Sequence, residues 1–256
     1  MKILSWNIYN FNSNPSEALE YILSSDADII CLQEVSNTMY ISLKTKYIGS
    51  IFRSLDFIEN GTEHYLVILT KTKVNSFEKK ELNKGEKVSF VQKIFNWKEA
   101  LSYQFVDIEQ GEKRFRVFNL HLTNGSGMTK RNGELKTVCK DLSGDSDNIL
   151  CGDFNTFLTP TLSFLIRYFY SLKKQDLNVT ELSEFDKNLK IYGLEDAFKS
   201  KYTFDLFGFK FKLDHILLPI GKYKYTPVVE NSRHGSDHYP IGVSQTNIPR
   251  NFKINI

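Results

Sequence analysis

The chain has 256 residues, 33 Lys and Arg against 30 Asp and Glu, and 41% hydrophobic residues. That balance excludes a disordered, collagenous or coiled-coil protein, and a chain of this length buries about three-quarters of its unfolded surface in a core without staples. A net charge of +3 does not by itself require a polyanionic partner. Cys31, Cys139 and Cys151 are the only cysteines. They are an odd set, two of them inside apolar runs, so no disulfide framework is expected. No apolar run approaches the roughly 18–20 residues of a membrane span, and the N-terminus lacks an apolar stretch of signal-peptide length. The expectation is a reduced, cytoplasmic protein. Without linkers or repeats, residues 1–256 read as one domain.

Met1–Ile8 reads as a first strand, and Pro15-Ser16-Glu17 opens a helix with Ala18, Leu19, Ile22 and Leu23 on one face. Ile29–Leu32 is a short buried strand ending at Gln33-Glu34, and His64–Leu69 and Val88–Phe95 read as further strands. Alternation over Leu101–Ile108 and Phe115–Leu122 around Gln110-Gly111-Glu112 predicts an antiparallel hairpin. Helices are expected over Thr129–Leu142 and Pro160–Leu172, and strands over Ile149–Asp153, Leu213–Leu218 and Tyr239–Val243. Hairpins mixed with strand–helix–strand units predict an α/β (α+β) protein of mixed sheets covered by helices.

Polar residues recur where these strands end: Asn7, Glu34, His121, Asp153, Asn155, Asp237 and His238. Strand ends are where sheet proteins commonly build sites. Each has an ordinary alternative, such as a turn cap or a lysine partner, yet the repetition favours a shared site. Asp153 and Asn155, two apart, share a face if the chain stays extended. Asp214 and His215 are neighbours, so at most one of them joins the cluster, and Asp214 is favoured. Phe204–Lys212 interleaves Phe with Lys. It reads either as a rim that stacks bases or as a strand with Phe inward and Lys outward.

Six motifs follow in order: Leu4-Ser5-Trp6-Asn7, Leu32-Gln33-Glu34-Val35, Asn119-Leu120-His121-Leu122, Gly152-Asp153-Phe154-Asn155, Leu213-Asp214-His215-Ile216 and Ser236-Asp237-His238-Tyr239-Pro240. This series resembles the endonuclease/exonuclease/phosphatase superfamily. It implies the DNase I-like four-layer sandwich, two packed mixed β-sheets flanked by helices. Glu63-His64-Tyr65-Leu66 and Lys98-Glu99-Ala100 resemble DNase I itself, whereas Ser36 replaces its groove-entering Arg.

The resemblance implies a Mg²⁺-dependent phosphodiesterase, with Mn²⁺ as an alternative ion, held by Glu34 with Asn7 and Asp237. It implies carboxylate–histidine pairs Glu63–His121 and Asp214–His238, with Asp153 and Asn155 handling the water and phosphoryl group and Lys98 contacting a phosphate. The expected substrate is DNA and the expected state a monomer. A phospholipid or inositol-phosphate esterase shares the motifs and is the alternative. A non-catalytic binding protein is the third reading, opposed by the full set of motif residues.

Overall fold

The computed structural model describes residues 1–83, 89–177, 180–198, 201–206 and 208–246. Strand β1 (Lys2–Asn7) leads to helix α1 (Pro15–Ser24), which is capped by the Asn14 side chain and carries Pro at its first turn. Next come β2 (Ile29–Ser36), α2 (Asn37–Lys46), the hairpin β3 (Ser50–Glu59) and β4 (Thr62–Thr70), and β5 (Val74–Glu81). A short helix α3 (Phe90–Ile94) and β6 (Trp97–Lys98) precede the hairpin β7 (Ser102–Gln110) and β8 (Lys113–His121). Then follow α4 (Met128–Val138), β9 (Asp147–Asp153), α5 (Pro160–Ile166), α6 (Glu181–Ile191) and β10 (Leu194–Asp196). The last elements are the hairpin β11 (Phe204–Leu206) and β12 (Phe209–Phe211), then β13 (Asp214–Pro219), β14 (Lys224–Val229) and β15 (Ile241–Thr246).

The strands form a seven-stranded sheet, ordered β14-β15-β1-β2-β4-β3-β6, and a six-stranded sheet, ordered β10-β13-β9-β8-β7-β5. Both are mixed: β1–β2 and β8–β9 are parallel and their neighbours antiparallel. Alternation along the central strands explains the layering. Ile3, Ile29 and Cys31 point inward and meet Val106, Val117, Ile149, Cys151 and Ile216 between the sheets. Their neighbours Leu4, Ile30 and Leu32 point outward under Ala18 and Ile22 of α1 and Met39 and Leu43 of α2. On the far side Phe118, Leu120 and Leu150 pack under Leu135 and Val138 of α4 and Phe185 and Leu189 of α6. Strands buried on both faces need apolar residues at consecutive positions, which is what Ile29–Leu32 supplies. The result is the expected four-layer sandwich.

Several boundaries differ from the sequence reading. Val88–Phe95 is not a strand: Val88 lies outside the described residues, and Phe90–Ile94 is helical because Ser89 and Gln92 cap each other reciprocally. The helix expected to reach Leu172 ends at Ile166, and the one expected to reach Leu142 gives way to a 3₁₀ turn at Cys139–Asp141. No helix among the described residues is long and apolar enough to cross a membrane.

Candidate active site

The inner ends of both sheets open into one cleft of about 370 Å³, and two β-bulges aim its carboxylates. In β2 the register with β4 shifts between Leu32 and Val35, and Glu34 sits there with φ of 59°. In β3 the register with β4 shifts between Leu55 and Phe57, displacing Asp56. A bulge re-aims the side chain it displaces. The two are tied together, since the Glu34 amide donates to Asp56 Oδ2 at 2.9 Å. A non-glycine residue held at positive φ stores strain of order 1–3 kcal/mol, commonly seen where a site demands it.

Asp56 is fully buried, and both its oxygens lie 3.1 Å from His121 Nδ1. The sequence expectation placed Glu63 in this role, and the geometry corrects it. Glu63 is exposed and accepts instead from the Tyr65 hydroxyl at 2.8 Å. A matching pair stands across the cleft, with His238 Nδ1 2.8 Å from Asp214 Oδ2. The Nε2 atoms of both rings lie 3.7 Å from Asp153 Oδ2, so one carboxylate sits between two carboxylate-backed imidazoles. Burial opposes charge on either ring, but the carboxylates win. Asp56, with Asp153 and Glu34 behind it, raises His121 well above the usual histidine range. Asp214, helped by Asp153 and Asp237, raises His238 to about 10.

Asp153 ends β9 opposite Asp214 on β13. Its Oδ1 accepts from the Asn155 amide at 2.9 Å, and Asn155 turns to φ of 51°. The two side chains therefore share the cleft through a tight turn, where extended alternation had been expected. Asn155 Nδ2 donates to the Leu122 carbonyl at 2.8 Å. Gly152 is obligatory here: at its φ of +147° a Cβ would stand 1.8 Å from the Leu120 carbonyl oxygen on the parallel neighbour β8. Behind the site Asn119 of β8 donates to the Leu32 and Val67 carbonyls and accepts from Gln33 at 2.7 Å, locking the two sheets together.

Asn7 bridges Glu34 Oε1 at 2.9 Å and Asp153 Oδ2 at 3.0 Å through its amide nitrogen, while its oxygen accepts from the Tyr9 amide. The Asn7 amide thus ties the two carboxylates together, and its oxygen, which accepts one bond, keeps a second lone pair. The Ser236 hydroxyl donates to the Asn7 carbonyl and accepts from the His238 amide, and the Trp6 indole donates to the His238 carbonyl. These bonds seat the Ser236–Pro240 string on the end of β1. Lys98 does not reach the cleft. It pairs with Ile58, and strand alternation turns Trp97 and Glu99 inward and Lys98 into another groove beside Lys79 and Lys80. His215 also faces away, buried between Asp196 and Thr156.

The donor set fits a hard divalent cation. Burial pushes the Glu34 carboxyl up to about 7, with Asp237 and Asp56 adding to the shift, and burial raises Asp237 as well. Asp237 Oδ1 and Asp214 Oδ1 are buried without a hydrogen-bond partner. Asp153, Asp214 and His238 offer ligand atoms within 4.8 Å of one another. Five carboxylates (Glu34, Asp56, Asp153, Asp214 and Asp237) stand with two histidines, an anionic excess that a hard divalent cation would offset. Glu34 and Asp237 line the cleft as carboxylates that could hold it, and Asp153, Asp214 and His238 form a second candidate group.

The geometry is that of a two-sheet sandwich with carboxylate–histidine pairs converging at its strand ends. Residues 4–238 match the model of the endonuclease/exonuclease/phosphatase family, and the chain belongs to that family. A search of curated proteins finds no match. Among solved structures, an endonuclease/exonuclease/phosphatase family protein from Leptotrichia buccalis is 18% identical with a TM-score of 0.67, covering 96% of this chain and 100% of its own. One from Beutenbergia cavernae is 14% identical with a TM-score of 0.68, covering 95% and 70%. TDP2 from Danio rerio, complexed with single-strand DNA product, is 15% identical with a TM-score of 0.61, covering 96% and 99%. At these identities the likeness establishes the fold.

Proposed function

We propose that this chain is a divalent-metal-dependent phosphodiesterase. The observation that carries the reading is the convergence of His121 and His238, each backed by its own buried carboxylate, on Asp153. Phosphodiester hydrolysis forms one P–O bond to water and breaks another to the leaving oxygen. It needs a proton acceptor, charge on the non-bridging oxygens neutralised and a proton for the leaving group. The carboxylate behind each ring favours its protonated form, which suits both imidazoles to donor roles. Asp153 takes the proton of the attacking water, one imidazolium donates to the leaving oxygen, and the other clamps the phosphoryl group. The Asn155 amide keeps a second N–H for a phosphoryl oxygen. Mg²⁺ or Mn²⁺ bound at Glu34 and Asp237 would supply Lewis-acid neutralisation of the phosphate.

DNA is the substrate the motifs favour, supported by the structural likeness to a protein crystallised with single-strand DNA product. A phospholipid or inositol-phosphate ester is the second reading. It is favoured by one observation: among the described residues lining the cleft there is no Lys or Arg, and Tyr9, Phe57, Trp97, Tyr170, Phe204 and Phe211 contribute to its walls. Incubation with Mg²⁺ and supercoiled plasmid, a single-stranded oligonucleotide, or phospholipid and phosphoinositide substrates tests both readings. Glu34→Ala and His121→Ala serve as controls. Turnover of none of these substrates, nor of bis(p-nitrophenyl) phosphate, refutes the proposal.

A further inference from the structure

Two segments beside the cleft mouth leave large apolar side chains in solvent. Phe90, Ile94 and Phe95 on and after α3, and Leu165, Tyr168 and Phe169 on and after α5, are between 51% and 76% exposed. The segments are one surface: the Val91 amide donates to the Phe169 carbonyl at 3.2 Å, and the Phe90 and Phe169 rings are 6.1 Å apart. Each also supplies a wall of the cleft, Trp97 from the first and Tyr170 from the second. An exposed apolar patch of this kind marks an interaction site, and its position makes it the rim of the active site.

The charges on these two segments have one sign, although Glu59 and Glu99 line the cleft beside Trp97. Residues 89–98 and 157–175 contain no Asp or Glu. Lys93, Lys173 and Lys174 are exposed, and Arg167 lies across the Phe164 and Tyr168 rings with its guanidinium carbon 4.4 and 4.7 Å from their centroids. Apolar side chains interleaved with Lys and Arg match an anionic bilayer interface, where aliphatic and aromatic groups enter the acyl boundary and the cations meet headgroups. A nucleic-acid track fits less well. Base stacking calls for aromatics alone, whereas Ile94 and Leu165 are among the most exposed groups here, and no cation continues from the rim into the cleft.

We propose that this face docks the protein on an anionic phospholipid surface, so that a headgroup phosphodiester enters the cleft from the bilayer. The proposal rests on the phosphodiesterase reading of the site and assigns its substrate surface. The test is flotation of the full chain with phosphatidylcholine vesicles with and without phosphatidylglycerol. In parallel, Mg²⁺-dependent hydrolysis of bis(p-nitrophenyl) phosphate reads the site without a membrane, and circular dichroism verifies folding. The wild type is expected to float with the anionic vesicles, and Ile94→Ser with Leu165→Ser to weaken that binding about tenfold or more. Lys93→Glu with Lys174→Glu is expected to abolish the preference for phosphatidylglycerol. Hydrolysis of the soluble ester should be unchanged in all of these variants. Failure of the wild type to float overturns the proposal. So does a single-stranded oligonucleotide that binds through the same residues in place of vesicles, or a dimer that Leu165→Ser dissolves. Vesicle binding without hydrolysis of the soluble ester, the nucleic acids or the vesicle phospholipid refutes the phosphodiesterase reading and leaves the docking surface standing, so the two failures are distinguishable.

Discussion

Asp56→Asn separates the structure's account of His121 from the motif's. Asp56 accepts two bonds at once, from His121 Nδ1–H and from the Glu34 amide. Asparagine has one acceptor atom. If its oxygen keeps the Glu34 amide, its NH₂ faces His121 Nδ1 and forces the wrong tautomer onto the ring. The substitution also removes the charge that raises His121, so the pKa of the imidazole falls and the protonated form is lost at lower pH. Loss of one positioned acid–base group lowers the rate by about 10²–10⁴-fold, which is about 3–5 kcal/mol in the barrier. Glu63→Gln touches only the Tyr65 hydroxyl and is expected to leave the rate within about twofold. Initial rates against pH at saturating Mg²⁺, on whichever ester the wild type cleaves, decide the matter. The alkaline limb of Asp56→Asn should move to lower pH while that of Glu63→Gln stays in place. Equal damage from both substitutions, or damage from Glu63→Gln alone, refutes the reasoning.

Glu34→Gln is expected to abolish both turnover and the rise in melting temperature that Mg²⁺ gives the wild type, read by thermal shift with and without EDTA. Gly152→Ala places a methyl group against the Leu120 carbonyl oxygen, and the strand must move, at a cost on the order of 3–5 kcal/mol by urea denaturation. Asp196 is buried against His215 and Lys212, and although burial opposes it their charges hold its carboxyl at about 2. A depressed carboxylate stabilises above its unfolded pKa and loses that contribution as pH falls through its folded one. Asp196→Asn should therefore cost on the order of 2 kcal/mol near neutral pH, with the gap to wild type closing between about pH 4 and pH 2 in denaturation profiles.

The layers were legible because both-face burial writes itself as consecutive apolar residues, as in Ile29–Leu32, and the β7–β8 hairpin because Gly111 interrupts two alternating runs. Strand β3 was not legible. Its outward positions Arg53 and Ile51 and its half-buried edge break the period, and the bulge at Asp56 shifts the alternation by one. Without β3 as a strand, Asp56 had no reason to stand out, and the resemblance of Glu63-His64-Tyr65-Leu66 to DNase I put Glu63 in its place. Lys98 misled for the opposite reason. Its neighbours do line the cleft, but a two-residue strand turns adjacent side chains to opposite sides, and only the pairing of Ile58 with Lys98 reveals which side is which. The orientation of the Asn7 amide was likewise beyond sequence, since it is decided by the Tyr9 amide that its oxygen accepts.

The site is built against its own stability. Glu34 is held at positive φ, Asp214 Oδ1 and Asp237 Oδ1 lack hydrogen-bond partners, and the Glu34 carboxyl is pushed to about 7 by burial among like charges. Each feature alone is a penalty that packing elsewhere must offset. Together they are features that a bound divalent cation would relieve, since it would satisfy buried carboxylate oxygens that have no hydrogen-bond partner. The bulges in β2 and β3 are what make this possible. A regular pair of strands would send Glu34 and Asp56 to the wrong faces, and the rigid four-layer frame around them is what keeps the bulged conformation from relaxing.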